Sequence, residues 1–135
     1  MTNEQARRIR RIRNSKVSEP ADGRFSNCLM VDGVAYISGM TAREGDDVYT
    51  QAKIIFGKIS DLVESAGGTM ADVVKITAYV TDISQRQGVW KARQEYFSGD
   101  FPTATMVQVV ALADPAYKVE IEAIVHIGTG GGGNR

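Results

Sequence analysis

From Lys118 to Ile127 the chain alternates. Val119, Ile121, Ala123, Val125 and Ile127 fall on one side, and Lys118, Glu120, Glu122 and His126 on the other. A period of two sustained over ten residues is the pattern of a strand with one face in a core. The stretch before it, Phe101 to Leu112, is rich in β-branched residues and also alternates, so it reads as a second strand. The Ala113–Tyr117 link is short enough for the two to pair antiparallel, with Pro115 breaking the ladder. Glu120 and Glu122 then form a carboxylate pair on one strand face. Solvated strands carry such pairs routinely, so the pair alone marks a place and not a chemistry.

Upstream of this pair, Arg24–Val31 and Val34–Met40 read as a hairpin around Asp32-Gly33, a dipeptide suited to the positive φ of a tight turn. Gly39 near its end would let a ligand or another backbone come close. Asp46 or Asp47 caps a helix running to about Ala66. Its apolar positions Val48, Ala52, Ile55, Ile59, Leu62, Val63 and Ala66 recur at steps of three and four, and Gly67-Gly68 ends it. Val73 to Thr81 is a further strand, with Val74, Ile76, Ala78 and Val80 alternating with Lys75, Thr77, Tyr79 and Thr81. A second helix starts at Asp82–Ser84 and reaches about Phe97, on the narrower apolar line Ile83, Trp90, Phe97. Gly88 inside it costs about 1 kcal/mol against alanine.

The expected order is β-β-α-β-α-β-β, an α+β domain. Right-handed crossovers place both helices on one face of a mixed sheet. The other face stays bare, and the apolar pairs Val73/Val74 and Val109/Val110 argue that a second copy covers it.

The 135 residues suffice for one domain with its own core. No apolar run approaches the roughly 20 residues of a membrane span, and the N-terminus lacks a secretory h-region, so a cytoplasmic chain is expected. Cys28 is the only cysteine, which excludes an internal disulfide, gives no metal cluster, and reads as a buried inert thiol. Charge is lopsided: residues 1–16 hold six basic groups and one acid, leaving a net −5 on the rest. This basic arm, expected to be poorly ordered to about Ser15, precedes a domain over 17–127 and a flexible glycine-rich tail over 128–135. An arm of this kind contacts nucleic acid less often than it stays solvated or pairs with its own protein, and no aromatic residue interleaves the arginines.

Several segments together resemble one family. Pro102-x-x-Thr105-x-Val107 is followed by the Lys118-Val119-Glu120-Ile121-Glu122-Ala123 strand. Asp72-Val73-Val74-Lys75-Ile76-Thr77-Ala78-Tyr79 lies upstream, with Gly23-Arg24-Phe25-Ser26-Asn27 and Ser38-Gly39-Met40 before it. This set resembles the RidA/YjgF family of enamine and imine deaminases over about residues 23–127. The resemblance implies a chorismate-mutase-like fold, a homotrimer with clefts at subunit interfaces, and a small-molecule ligand. It also implies hydrolysis of a C=N bond with neither metal nor cofactor. Carried over by position, Glu120 activates water, while Gly39 and the backbone of Thr105 and Met106 surround the ligand.

Three positions depart from the family pattern. Ala104 stands where an arginine grips the substrate carboxylate, a bidentate clamp no small residue imitates. Phe25 replaces a tyrosine and so removes a hydroxyl. Arg24 replaces a proline and adds a cation near the expected mouth. Arg93, on the second helix, is a further basic group; either arginine could reach a carboxylate from a new direction, although ordinary surface arginines are the plainer reading. His126 reads as a terminal surface residue, and Met40 and Met106 as lining for a pocket or interface. Three functions remain open: an imine or enamine hydrolase weak on 2-aminoacrylate-type substrates, a trimeric binder without chemistry, and an RNA or protein interaction module using the arm.

Overall fold

The computed structural model describes residues 8–131. Helix α1 (Val48–Ser65) begins at Asp47, whose carboxylate accepts the Thr50 N–H at 2.7 Å. It ends where Gly67 takes a φ of +94° and the Gly68 N–H reaches back to the Val63 carbonyl. Its buried stripe runs from Val48 through Ile55 and Ile59 to Val63. That stripe lies on a sheet built from β1 (Ile9–Arg11), β2 (Cys28–Val31), β3 (Val34–Met40), β4 (Val73–Val80), β5 (Thr103–Gln108) and β6 (Val119–His126).

The strand order is β1-β2-β3-β6-β4-β5; only β4 and β5 pair parallel. Strand β6 is central, and its apolar row Val119, Ile121, Ala123 and Val125 is buried beneath the helices. Ala35 and Ile37 of β3 and Ile76, Ala78 and Val80 of β4 extend this core sideways. Helix α2 (Arg86–Tyr96) packs on α1, Gly88 admitting the backbone at Tyr49 and Tyr96 stacking 5.8 Å from Phe56. Both helices cover one face, as the pattern requires. The opposite face presents Tyr36, Thr77, Tyr79, Thr105, Val107, Glu120 and Glu122. No helix among the described residues is long and apolar enough to cross a membrane.

Four expectations need correction. Strands β5 and β6 do not form a hairpin; β4 lies between them. The fully apolar row of β6 belongs in the middle of the sheet, whereas β5 is exposed on nearly every residue and takes the edge. The Pro115 link passes across the end of β4, where the Thr81 N–H bonds the Lys118 carbonyl and the Val109 N–H bonds the Val80 carbonyl. Second, the arm is not loose up to Ser15: Ile9–Arg11 pairs with β2, and Ile12 and Val17 enter the core. Residues 1–7 lie outside the described residues. Third, α2 turns Val89 and Ala92 inward, not Trp90, because Ile83–Gln85 forms a separate 3₁₀ turn and resets the phase. Fourth, Gly128 and Gly130 are tied down by the buried Asp72, which accepts both their N–H groups and that of Thr69. Residues 132–135 of the expected flexible tail lie outside the described ones.

Candidate active site

The hairpin turn, with Asp32 at φ +49° and Gly33 at φ +84°, sets the β2–β3 register. That register runs Leu29 beside Tyr36, and Tyr36 beside Ile124 of β6. Past Ile37 the β3 ladder slips before resuming at Met40 opposite Ile121. The irregularity falls on Ser38-Gly39 and re-aims this end of β3 toward the carboxylates of β6. Ser38 is fastened there by its N–H to the Asn27 carbonyl and its hydroxyl to the Ser26 carbonyl at 2.6 Å.

Gly39 is required because of Glu120. A Cβ at position 39 would stand 2.4 Å from Glu120 Oε2 and 2.8 Å from Cγ, so the carboxylate occupies the space a side chain would take. On its other flank β6 pairs with β4, placing Tyr79 opposite Glu120 and Thr77 opposite Glu122. The Tyr79 hydroxyl donates diagonally to Glu122 Oε1 at 3.0 Å. Among the described residues, Glu120 makes no side-chain hydrogen bond or ion pair. Half-burial raises its pKa above the ordinary carboxylate range, and the charge of Glu122 adds to the rise. Tyr79 is held protonated by its bond to Glu122.

Two concavities flank Gly39. One, of about 340 Å³, lies over the sheet between Phe25, Tyr36, Gly39 and Glu122. The other, of about 390 Å³, extends past Phe25 and Gly39 to Lys16, Lys58 and Tyr117. Lys58 Nζ donates to the Thr41 carbonyl at 2.7 Å and lies 3.7 Å from Glu44. Gln51, buried on α1, ties Gly45 to the link at Ala116–Lys118. Its amide donates to the carbonyls of Gly45 and Ala116, and its oxygen accepts the Lys118 N–H. Among the described residues no cluster of His, Cys, Asp and Glu could hold a metal ion.

Of the residues expected at the site, Gly39, Glu120 and Phe25 gather on the open face or its rim. Thr105 shares that face in register with Thr77, but β4 separates it from β6, a span of about 10 Å across two strand spacings. Met106 and Ala104 align with the buried Ala78 and Ile76, so they project to the helix side instead. Arg93 belongs to the helix layer too; burial lowers its pKa and leaves its Nε without a partner. Arg24 is exposed beside Phe25 and lines neither concavity. His126 shares the face of Glu120 but lies six residues, about 20 Å, along the strand. Cys28 is fully buried and its thiol is pushed up to about 11, which leaves no nucleophile.

The sequence alone gives neither Tyr36 nor Tyr79 a place at the site. Their signal was their parity on the polar side of β3 and β4, which acquires meaning only once β6 is known to lie between those strands.

The profile of the endoribonuclease L-PSP family matches residues 16–127. A protein of unknown function from Pseudomonas aeruginosa superposes with a TM-score of 0.84 at 35% identity, over 89% of this chain and 93% of its own. RidA from the Antarctic bacterium Psychrobacter does so at 0.78 and 32% identity, over 87% and 99% of the two chains. A member of the YjgF/YER057c/UK114 family from Mycobacterium tuberculosis gives 0.78 and 31%, over 86% and 98%. The sheet order, the helix layer, the motifs around Gly39 and Glu120 and these matches agree: the chain belongs to the RidA/YjgF (endoribonuclease L-PSP) family.

Proposed function

We propose that this chain is a small-molecule hydrolase that deaminates an imine or enamine, using Glu120 to activate water in a cleft completed by a second copy. The observation that carries the reading is the position of the Glu120 carboxylate. It is partly desolvated, lies against Gly39 and is unpaired among the described residues. Such a carboxylate sits where a base is needed, and its raised pKa brings it closer to working pH. In the reaction one water adds to the C=N carbon, Glu120 takes its proton, and the nitrogen leaves as ammonia after receiving a proton. The products are a carbonyl compound and ammonia.

The shared cleft rests on strand parity. Ala104 and Met106 face the helix side, whereas Glu120 faces the open side. A site using both strands as the family does therefore draws on two chains, and the exposed Val107 gives the open face apolar surface for that contact. Ala104 supports a second reading, a homotrimeric binder that kept the pocket and lost the chemistry. The arm gives less support to RNA binding, since Arg8 pairs with Asp32 and Arg11 with Glu19.

The deciding experiment measures ammonia release from imines generated in situ, for the wild type and Glu120→Gln. Turnover abolished by the substitution supports the hydrolase. Binding without turnover on any imine supports the binder.

A further inference from the structure

The 340 Å³ concavity has an unusual lining for a family site expected to hold an acid. Its charged group is Glu122, and its walls include two aromatic side chains that are half exposed, Phe25 at 53% and Tyr36 at 50%. Ser26, Leu29 and Gly39 complete most of the rest. The Glu120 carboxylate stands behind Gly39. A carboxylate beside aromatic faces attracts a cation and repels an anion, since the ring quadrupole presents its negative side.

The neighbouring cations do not reverse this field. Arg11 shares the cross-strand row of Leu29 and Tyr36, but its guanidinium is bonded to Glu19 at 2.6 Å. Lys75 lies on the far side of β6, aligned with Ile124. Lys58 lines the adjoining concavity, and is engaged by Thr41 and Glu44. Lys16 also lines that adjoining space and not this one. No arginine stands at position 104 to grip an acid.

We propose that the concavity between Phe25, Tyr36 and Glu122 selects a small organic cation, a protonated imine without a carboxylate, as the substrate class of this chain. The proposal rests on the hydrolase reading for the word substrate, but not for binding. An iminium carbon is also the more electrophilic form of a C=N bond, so the group that is recognised is the group that reacts. Hydrolysis of such an ion consumes one water and yields a carbonyl compound and an ammonium ion.

The test is calorimetric titration of the full chain with three probes: choline, its neutral isostere 3,3-dimethylbutan-1-ol, and 2-oxobutanoate. Choline should bind at least about tenfold more tightly than the isostere, as expected for a cation between aromatic and carboxylate groups. 2-Oxobutanoate should bind more weakly still. Glu122→Gln and Tyr36→Leu should each weaken choline about tenfold; Tyr36 is exposed, so the second variant tests the site even if the first fails to fold. Equal binding of choline and the alcohol overturns the proposal, as does tighter binding of 2-oxobutanoate, which would point to Lys16 and Lys58. Choline affinity unchanged in both variants also overturns it. Because no probe is turned over, a failed deaminase assay with these results intact would remove the hydrolase and leave the cation site.

Discussion

Gly39 and Glu120 occupy each other's space: the missing side chain of one is the seat of the other's carboxylate, with 2.4 Å from a Cβ at 39 to Glu120 Oε2. The glycine therefore answers to packing and not to backbone strain, since its φ is not among the positive ones.

Gly39→Ala should fold, because the group it displaces is a flexible carboxylate. The displaced base should lower turnover by about 10²-fold, the usual effect of misplacing a reacting group by an ångström. Circular dichroism with a kinetic assay checks both halves. Wild-type rates would mean that the Glu120 position seen here is not the working one.

Glu120→Gln should reduce kcat by about 10²–10⁴-fold with ligand affinity largely kept, because a base acts in the transition state. Glu122→Gln should behave differently. It removes a charge that raises the Glu120 pKa, so the acidic limb of the kcat profile should move to lower pH. A base at Glu120 would work deprotonated, so activity should rise with pH through its pKa in both proteins. A limb that stays in place in Glu122→Gln counts against the coupling.

Cys28 links stability to alkaline pH. Its thiol ionises near 9.0 when free and at about 11 in the fold, through burial. A raised pKa favours the protonated folded state, so this contribution is complete below pH 9 and is lost as pH rises from 9 to 11. Denaturant midpoints at pH 8, 10 and 11 should fall faster for the wild type than for Cys28→Ala. At pH 8 a thiol reagent should label the native protein only as it unfolds, and rapid labelling would refute the burial argument.

Ile12 and Arg8 make a contrasting pair in the arm. Ile12 is buried, and its replacement by alanine should cost about 2–5 kcal/mol. Arg8 meets Asp32 in full solvent, and its loss should leave stability nearly unchanged. Chemical denaturation of the two variants decides. Equal losses would show that β1 is held by charge and not by its core residue.

Asp72 accepts three backbone N–H groups, one from its own turn at Thr69 and two from the distant Gly128 and Gly130. Asp72→Asn keeps the shape but removes the charge and one acceptor oxygen, which should lower stability by about 1.5–3 kcal/mol per lost charged bond. Faster amide exchange at Gly128 and Gly130 would be the local sign.

The elements were legible where the period was strong. The α1 stripe, the Asp32-Gly33 turn and the β6 alternation all reappear with nearly the expected bounds. What alternation does not encode is which strands are neighbours. Phe101–Leu112 and Lys118–Ile127 looked like a hairpin because both alternate and the link is short. The burial of every second β6 residue on the helix side demanded the central position instead. The same gap hid the site. Glu120 is visible as half of a carboxylate pair, but its neighbours Tyr79 and Gly39 come from strands some 40 and 80 residues earlier, and only the sheet order joins them. Asp72 and Gln51 were missed for a related reason, since their partners are backbone groups that carry no side-chain pattern.

The opposed parity of positions 104 and 120 also bears on how variants behave in mixtures. If ligands are held between strand β5 of one copy and strand β6 of another, damage at the two places is not confined to the molecule that carries it. Co-assembly of a chain altered at Glu120 with one altered in β5 should regenerate some intact clefts and some doubly impaired ones. Neither chain alone should have any. Activity in such a blend would follow the statistics of subunit mixing, so a defective allele's effect would depend on its dosage relative to its partner.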